Sequence, residues 1–515
     1  MATYSRPPPP ADDYAASRAW FEAMITRLSE EETAAGTHEA LEDYLTGDGR
    51  ELQRTMMQDH LDACARREER RAQVVGADGV ARVRAEPGHT RLLATTVGRV
   101  EVSRIAYRAA KASNLHPADA VRALPARTHS FPLQRAVVHE VADRPLRSAR
   151  ESLARTTGQQ LGTRQLQEIT VEAARDVRDF YAQHTAPDPA PAPGTEPEPA
   201  PGTGGRDLLV LSIDATGVNM IPSGLRTPAP PRPAGPQPPS AQLSTRERTG
   251  RTRMACVTAC YDVRPAPRSA ADILPRDAAE RAARRDGPVA KARRMDASLE
   301  HSTAAMTTAL FDQAEQRDPA HQRRWVVLVD GANHQLDCIE KEAGKRGVDI
   351  DIIVDFVHVL EYLWKAADDL HPDHGTRAAF VQSAARDLLE GHAPRLVADL
   401  HTHQRTRIAH NRPAPGLDRA AAYLEAKLPY LDYHIALTLG WPIATGVIEG
   451  SCRYLVKDRL DVTGARWSLP GGEAVLLLRT VIANGDFPEY WRYHVLRDHQ
   501  RTHQTLYQNQ LDIAA

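Results

Sequence analysis

The chain has 515 residues, with 65 Lys and Arg set against 67 Asp and Glu for a formal net charge of −2. That length suits about three domains of roughly 150 residues each, and the charge balance excludes a protein that binds a polyanion through its overall charge, so a nucleic-acid partner must be met by local basic patches. Five cysteines, none in a Cys-x-x-Cys pair, exclude a disulfide scaffold and give no zinc signature. No run approaches the length of a membrane span, and the opening MATYSRPPPP lacks the basic start and apolar stretch of an export signal; a soluble, cytoplasmic protein is expected.

In chain order, residues 1–43 are expected as an N-terminal tail, proline-rich and then acidic and helix-like. Residues 44–185 are expected as a compact N-terminal module. Within it Asp48 to Glu69 has helical spacing (Leu52, Met56, Met57, His60, Leu61) and ends in arginines. Thr90 to Tyr107 alternates around Gly98 as a β-hairpin does. The segment RSARESLARTTGQQLGTRQLQEITVEAARDV, within 146–180, has helix-turn-helix proportions: a helix ending near Thr156, a turn with Gly158 and Gly162, and a second helix capped by Thr163. Its start presents Arg164, Gln165 and Gln167, side chains able to bond base edges in a major groove. The module at 44–185 is thus expected to be mostly helical, to contain the β-hairpin and to bind DNA, although two packed helices joined by a glycine turn are also an ordinary helical unit.

Residues 186–206 are nearly all Pro, Ala, Gly, Thr and acidic, a composition that buries no core and reads as a linker. A second proline-rich stretch, Thr227 to Ser240, reads as a long surface loop between strands at Leu208 to Ile213 and Met254 to Tyr261. Cys256 and Cys260 then fall on one strand face as buried thiols. After a basic, helix-like segment, strands recur at Trp325 to Val329 and Ile350 to Val354. Between them HQLDCIEKEAGKRGV reads as a helix stopped at Gly347, a crossover onto a parallel neighbour. The pattern predicts an α/β fold, a mixed sheet flanked by helices. Residues 207–364 form the first part of this core, 365–439 an all-helical insertion, 440–490 its second part and 491–515 a C-terminal tail.

Three segments carry the chemistry: DLLVLSIDATG around Asp214, RRWVVLVDGANHQ around Asp330 and ATGVIEGSCRYLVKDR around Glu449. The two aspartates close apolar, β-branched runs, and the glutamate opens a helix with basic residues. Mg²⁺ takes hard oxygen ligands and is held by a few rigid carboxylates with substrate phosphates completing its shell; two such ions can activate a nucleophile and stabilise a leaving oxygen. An aspartate at a strand end is equally a turn former or helix cap. On one continuous helix from Val447 to Arg459, Glu449, Arg453 and Lys457 form a stripe. It reads either as a ligand with phosphate-binding cations beside it or as an i, i+4 ladder worth about 0.2–0.5 kcal/mol. Glycines on both sides of Glu449 favour the former. Basic clusters at Arg66 to Arg71, Arg144 to Arg150, Arg246 to Arg253 and Arg281 to Arg294 together fit a DNA track.

From about Gln53 to Tyr507 the chain resembles the ISKra-type insertion-sequence transposases, acidic-triad (DDE) enzymes with an RNase H-like core related to Mutator-like transposases. The resemblance lies in WVVLVDGANHQ, VDFVHVLEYLWKAA, LDYHIALTLGWPIATGVIEGSCRYLVKDRLDVTGARW and NGDFPEYWRYH. It implies that Asp214, Asp330 and Glu449 are a catalytic triad binding Mg²⁺ or Mn²⁺, two ions in all, with Asp355 and His358 as an Asp-x-x-His motif. From the residues alone, Asp355 is as readily a helix cap and His358 a core histidine. His334 is expected beside the triad. Arg164, Gln165, Gln167, Arg453, Lys457, Arg459, Arg466 and Trp467 are the expected DNA contacts. The implied activity is cleavage at the element's ends and joining of the 3′ hydroxyls to target DNA. The partners are double-stranded DNA, as terminal inverted repeats and target, and a second copy or more of the chain. Rival expectations are a nuclease of the same fold without strand transfer, a non-catalytic DNA-binding derivative, and a two-carboxylate glycosidase, the last disfavoured by an aromatic content of only 5%.

Overall fold

The computed structural model describes residues 12–184, 207–225, 252–410, 412–462 and 464–508. The 186–206 linker and the Thr227 to Ser240 loop lie outside the described residues. The chain divides into two compact units, Met1–Phe180 with Asp486–Ala515, and Tyr181–Gly485. Among the described residues no helix is long and apolar enough to cross a membrane.

The first unit is mostly helical. The helix His38–Arg67 starts at the Thr37 cap, whose side chain accepts from Ala40 N, and carries the earlier helix Ala15–Leu28, tied down by Ser17 Oγ donating to Asp59 at 2.6 Å. Residues 12–43 are therefore part of this unit and not a tail. Strands β1 (Val74–Val75) and β2 (Ala81–Arg82) pair with each other, and β3 (Arg84–Thr95) and β4 (Gly98–Arg108) form the expected hairpin. The helices Leu146–Thr157 and Thr163–Ala174 flank a turn at Gly158, whose φ of 69° is the left-handed value that glycine takes at no steric cost. Gly162 is the cap of the second helix, and Gln165 Oε1 accepts from its N–H at 2.8 Å. Thr163 is thus the first helical residue and not the cap.

Residues 491–515 were expected as a tail, yet Phe487–Thr502 is a helix of the first unit. It buries Tyr490 and Trp491, and its His494 Nδ1 donates to Asp176 Oδ2 at 2.7 Å, while Arg501 grips the same carboxylate at 2.5 and 3.0 Å. Burial pushes the Asp176 carboxyl up, but the bonds and charges of His494 and Arg501 outweigh it and hold it at about 2.

The second unit holds a five-stranded sheet: β5 (Leu208–Asn219), β6 (Thr252–Val263), β7 (Ala290–Ser298), β8 (Trp325–Val329) and β9 (Ile350–Val354), in spatial order β7-β6-β5-β8-β9. Strand β6 is antiparallel to both its neighbours, and β5, β8 and β9 are parallel. Strand β7 interrupts the expected basic helical segment, which is otherwise helical at Ala270–Ile273, Ala278–Ala282 and Thr303–Arg317. Its inward residues, Met295, Ala297 and Ser298, come only at the end of the basic run, so the alternation is masked. One sheet face packs Leu209, Leu211, Ile213, Cys256, Cys260 and Trp325 against Leu310 and Phe311 of the helix Thr303–Arg317 and Ile339 of the helix Asn333–Arg346. The two cysteines share that face as expected. The helix Asn333–Arg346 ends at Gly347, as the sequence predicts. Beyond Asp355 come the helices Phe356–Leu370, His374–Leu389, Ala393–Ala409, Pro415–Lys427 and Tyr433–Thr438, so the insertion is helical as expected.

The Asp176 carboxylate is buried and paired, and removing one partner of such a group costs about 3–5 kcal/mol. Asp176→Ala is expected to destabilise the first unit by that amount in chemical denaturation. Because the folded carboxyl sits below its unfolded value of about 3.9, its stabilisation is complete above that value and is lost as pH falls through about 2; the gap between wild type and variant should close in acid.

Candidate active site

Register decides which acidic side chains meet. Ser212 of β5 pairs with Leu328 of β8, so two residues on Asp214 stands level with Asp330. Val329 pairs with Val354 of β9, and Asp355 N donates to Val329 O at 2.8 Å, so Asp355 follows on the next strand. Three aspartates thus form a row across three parallel neighbours. Asp214 was expected at a strand's end. It lies mid-strand, because β5 continues to Asn219 against β6 while its parallel neighbour stops at Val329.

The Asp214 carboxyl is held above the ordinary carboxylate range, first by burial and then by the charge of Asp330, against hydrogen bonds from Ala215 N (2.6 Å) and Cys452 Sγ (3.4 Å) and the charge of Lys457. Burial and the neighbouring Asp214 push the Cys452 thiol up in turn, so it stays protonated and donates. Asp330 is half-buried, and its Oδ1 accepts from Ala332 N at 3.0 Å. Gly331 follows with φ +85°, and a Cβ there would meet Tyr423 Oη at 2.6 Å; that hydroxyl donates to Asp330 O at 2.8 Å. Only glycine allows the turn and the approach together.

Asp355 is 2% exposed and caps the helix Phe356–Leu370 by accepting from Val357 N at 3.0 Å. It also accepts from Thr445 Oγ1 at 2.8 Å, and the same hydroxyl lies 3.0 Å from Glu449 Oε1. Asp355 is therefore both a cap and a link to the glutamate. His358 is half-buried on the first turn of its helix, with Nδ1 3.8 Å from Glu361 and its ring 6.0 Å from that of Tyr423. His334 is half-buried on the helix after Asp330, its Nδ1 3.9 Å from Cys338 Sγ.

The glutamate helix is not one regular α-helix. It runs as Gly446–Cys452, a π turn over Arg453–Lys457 and a last turn at Asp458–Leu460. The Asp458 N–H reaches back to Arg453 O, a widened turn of the kind found most often at functional sites. Asp214, Glu449, Cys452, Arg453, Lys457, Asp458 and Asp461 line one open cleft, floored by Gly446 and Gly450. A Cβ on either glycine would meet nothing within 4 Å, so internal packing does not require them and they leave the wall beside Glu449 bare. Asp330 does not line this cleft but stands beside Asp214.

The expected DNA contacts divide. Arg453, Lys457 and Arg466 are exposed. Arg459 and Trp467 are buried at 3% and 7%: the guanidinium lies 4.8 Å over the indole, and Trp467 Nε1 donates to Leu460 O at 3.0 Å. Burial pushes the Arg459 guanidinium down to about 10, helped by Arg479. These two hold the end of the glutamate helix and are corrected from DNA contacts to packing. In the first unit Arg164, Gln165 and Gln167 are exposed, with Arg164 paired to Glu168 at 2.9 Å and Gln165 engaged in its cap. Several cations of the basic clusters are also engaged internally: Arg66 and Arg67 with Asp13, Arg253 with Leu299 O, Arg285 with Asp272.

Sequence reasoning missed Thr445, Cys452 and Tyr423. The first two lie four residues before and three after Glu449, a spacing that puts them on its face; nothing local marks Tyr423. Among the described residues, no three His, Cys, Asp or Glu side chains gather into a ligand set. The donor chemistry still suits a divalent cation. Asp214, Asp330 and Glu449 offer hard carboxylate oxygens, and a cation would relieve the repulsion between the two aspartates. The chain matches no protein-family model and no curated protein.

A raised carboxyl opposes folding once ionised. Its favourable contribution is complete below the unfolded value of about 3.9 and lost as pH rises through the folded one. Asp214→Asn is therefore expected to raise the melting temperature of the second unit at neutral pH in chelator, by about 2–4 °C per kcal/mol relieved, with the gain vanishing toward pH 4. A lower melting temperature for the variant at neutral pH would contradict this electrostatic account.

Proposed function

We propose that the second unit is an RNase H-like nucleotidyl-transfer core, a member of the class of acidic-triad polynucleotidyl transferases. The strand order, with β6 alone running against the other four, supports that fold. The observation that carries the reading is the register that levels Asp214 with Asp330 while the helix bearing Glu449 brings Cys452 onto Asp214. Within this class we read the chain as a DDE transposase of a bacterial insertion sequence, resembling the ISKra type and working in the cytoplasm at the nucleoid.

Asp214, Asp330 and Glu449 would hold two Mg²⁺ or Mn²⁺ ions, which supply activation of the attacking oxygen and neutralise charge on the leaving one. The rest falls to the chain's own residues. Arg453 and Lys457, beside Glu449 in the cleft, and Arg466, exposed beyond it, attract the phosphate backbone. The bare glycine wall admits a sugar-phosphate chain. The attacking group is water in the cleavage step and the freed 3′ hydroxyl in the joining step, so no side chain need form a covalent bond to DNA. Arg164 and Gln167, exposed on the second helix of the helix-turn-helix, would read bases, and Gln165 contributes by fixing that helix's first turn. Joining two DNA ends calls for a dimer or larger assembly on DNA.

The test is excision and joining of a marked element, bounded by the DNA that flanks this gene, by purified protein in Mg²⁺. Asp330→Asn should abolish cleavage with DNA binding kept within a few-fold. Gly450→Leu should fold as well as wild type, since glycine costs a helix interior about 0.8–1.0 kcal/mol relative to alanine, yet cut at least tenfold more slowly because its side chain fills the cleft. Cleavage without joining would reassign the chain to a nuclease; DNA binding with no cleavage by wild type would make it a non-catalytic DNA-binding derivative.

A further inference from the structure

Thr445 opens the glutamate helix, and a threonine there ordinarily turns its hydroxyl oxygen to the helix's free N–H groups. This one does not. Its backbone, at φ −85° and ψ 18°, lies outside the extended region usual for a cap, and its side chain makes no capping bond. The hydroxyl, in a residue only 4% exposed, sits between two acidic groups, 2.8 Å from Asp355 Oδ2 and 3.0 Å from Glu449 Oε1. Asp355 is itself 2% exposed and accepts from Val357 N at 3.0 Å. Phe356 N donates to Ile443 O at 2.9 Å, tying the end of β9 to the segment that leads into Thr445.

We infer that Thr445 and Asp355 are positioning residues for Glu449: Asp355, which also accepts from Thr445 N at 3.4 Å, fixes the threonine, and its one hydroxyl hydrogen, within reach of both carboxylates, sets the direction of the glutamate side chain at the mouth of the cleft. Glu449 is exposed and lies between two glycines that leave its side chain unconfined. An exposed glutamate has free rotamers, and a useful ligand needs one. Partners that orient ligating groups commonly account for 10–100-fold in metal affinity or activity. The helix gives up its own cap to make this link.

The inference rests on the proposed role of Glu449, so the test reads metal uptake directly as well as activity. Mn²⁺ binding by the full chain, followed by electron paramagnetic resonance, would compare wild type, Thr445→Val, Thr445→Ser and Asp330→Asn, together with melting temperature and the Mn²⁺ dependence of DNA cleavage. Thr445→Val keeps shape and burial but has no hydroxyl. It should weaken Mn²⁺ binding 10–100-fold and lower kcat with little change in KM for DNA; the metal-free melting temperature should fall modestly, because the buried Asp355 loses one donor, with the fold retained. Thr445→Ser should restore most of the binding. Wild-type Mn²⁺ affinity in Thr445→Val, with uptake abolished in Asp330→Asn, would overturn this inference alone. No uptake by wild type would overturn the proposed site and the inference together.

Discussion

Like charges brought side by side by parallel strands are the constraint around which the second unit is arranged. The pairing of β5, β8 and β9 leaves no choice about the neighbours of Asp330: Asp214 stands on one side and Asp355 on the other. Each is handled differently. Asp214 is half-buried, carries the repulsion as a raised carboxyl and takes a thiol hydrogen from Cys452. Asp330 stays half-exposed, with its oxygen on a backbone N–H. Asp355 is fully enclosed, where a carboxylate is tolerable only because backbone and hydroxyl donors surround it. That gradient in burial distinguishes groups that can give their oxygens to a ligand from one committed to the protein.

The glutamate helix answers this row from above the sheet. Its first turn forgoes a cap, its middle is widened into a π turn, and its end is pinned by Trp467, whose backbone pairs with the far end of β5 through Asn219 O (3.0 Å) and Ile221 N (2.9 Å). A helix free to optimise its own hydrogen bonds would show none of these. The packed pair Arg459 and Trp467 holds the last turn and leaves Arg453 and Lys457 turned outward to the cleft.

The first unit rests on a different device. Its helices bury Leu153, Leu166 and Ile169, and the chain's last long helix adds Tyr490 and His494 with an ion pair at Asp176. The unit is therefore closed by residues more than 300 positions from those they bond. Arg50 of the long helix donates to Arg155 O and Thr156 O at 3.4 and 3.2 Å, where a cation also meets the negative end of that helix.

Periodicity and turn chemistry act over a few residues, and what depends on them was legible. The hairpin at Gly98, the helix stop at Gly347, the strands of Val and Ile, the shared face of Cys256 and Cys260 and the helical run after Asp355 all follow from local pattern. Asp214, Asp330 and Glu449 could be singled out as candidates because an acidic residue closing an apolar run and a glycine-flanked glutamate are local signals too. What needed the tertiary structure depends on register and on burial by distant segments. Strand β7 is held by pairing with β6 and not by its own alternation; the expected tail opens with the helix Phe487–Thr502 because Asp176 and its neighbours wait for it. Arg459 and Trp467 read as surface cation and aromatic until the fold closes over them. Thr445 gains its acidic partner only when Asp355 arrives from the end of another strand. The sequence by itself determined which residues favour strand, helix and turn and where acidic groups interrupt them; only the tertiary structure decided which of those groups face one another, because strand register and desolvation are set by contacts between segments far apart in the chain.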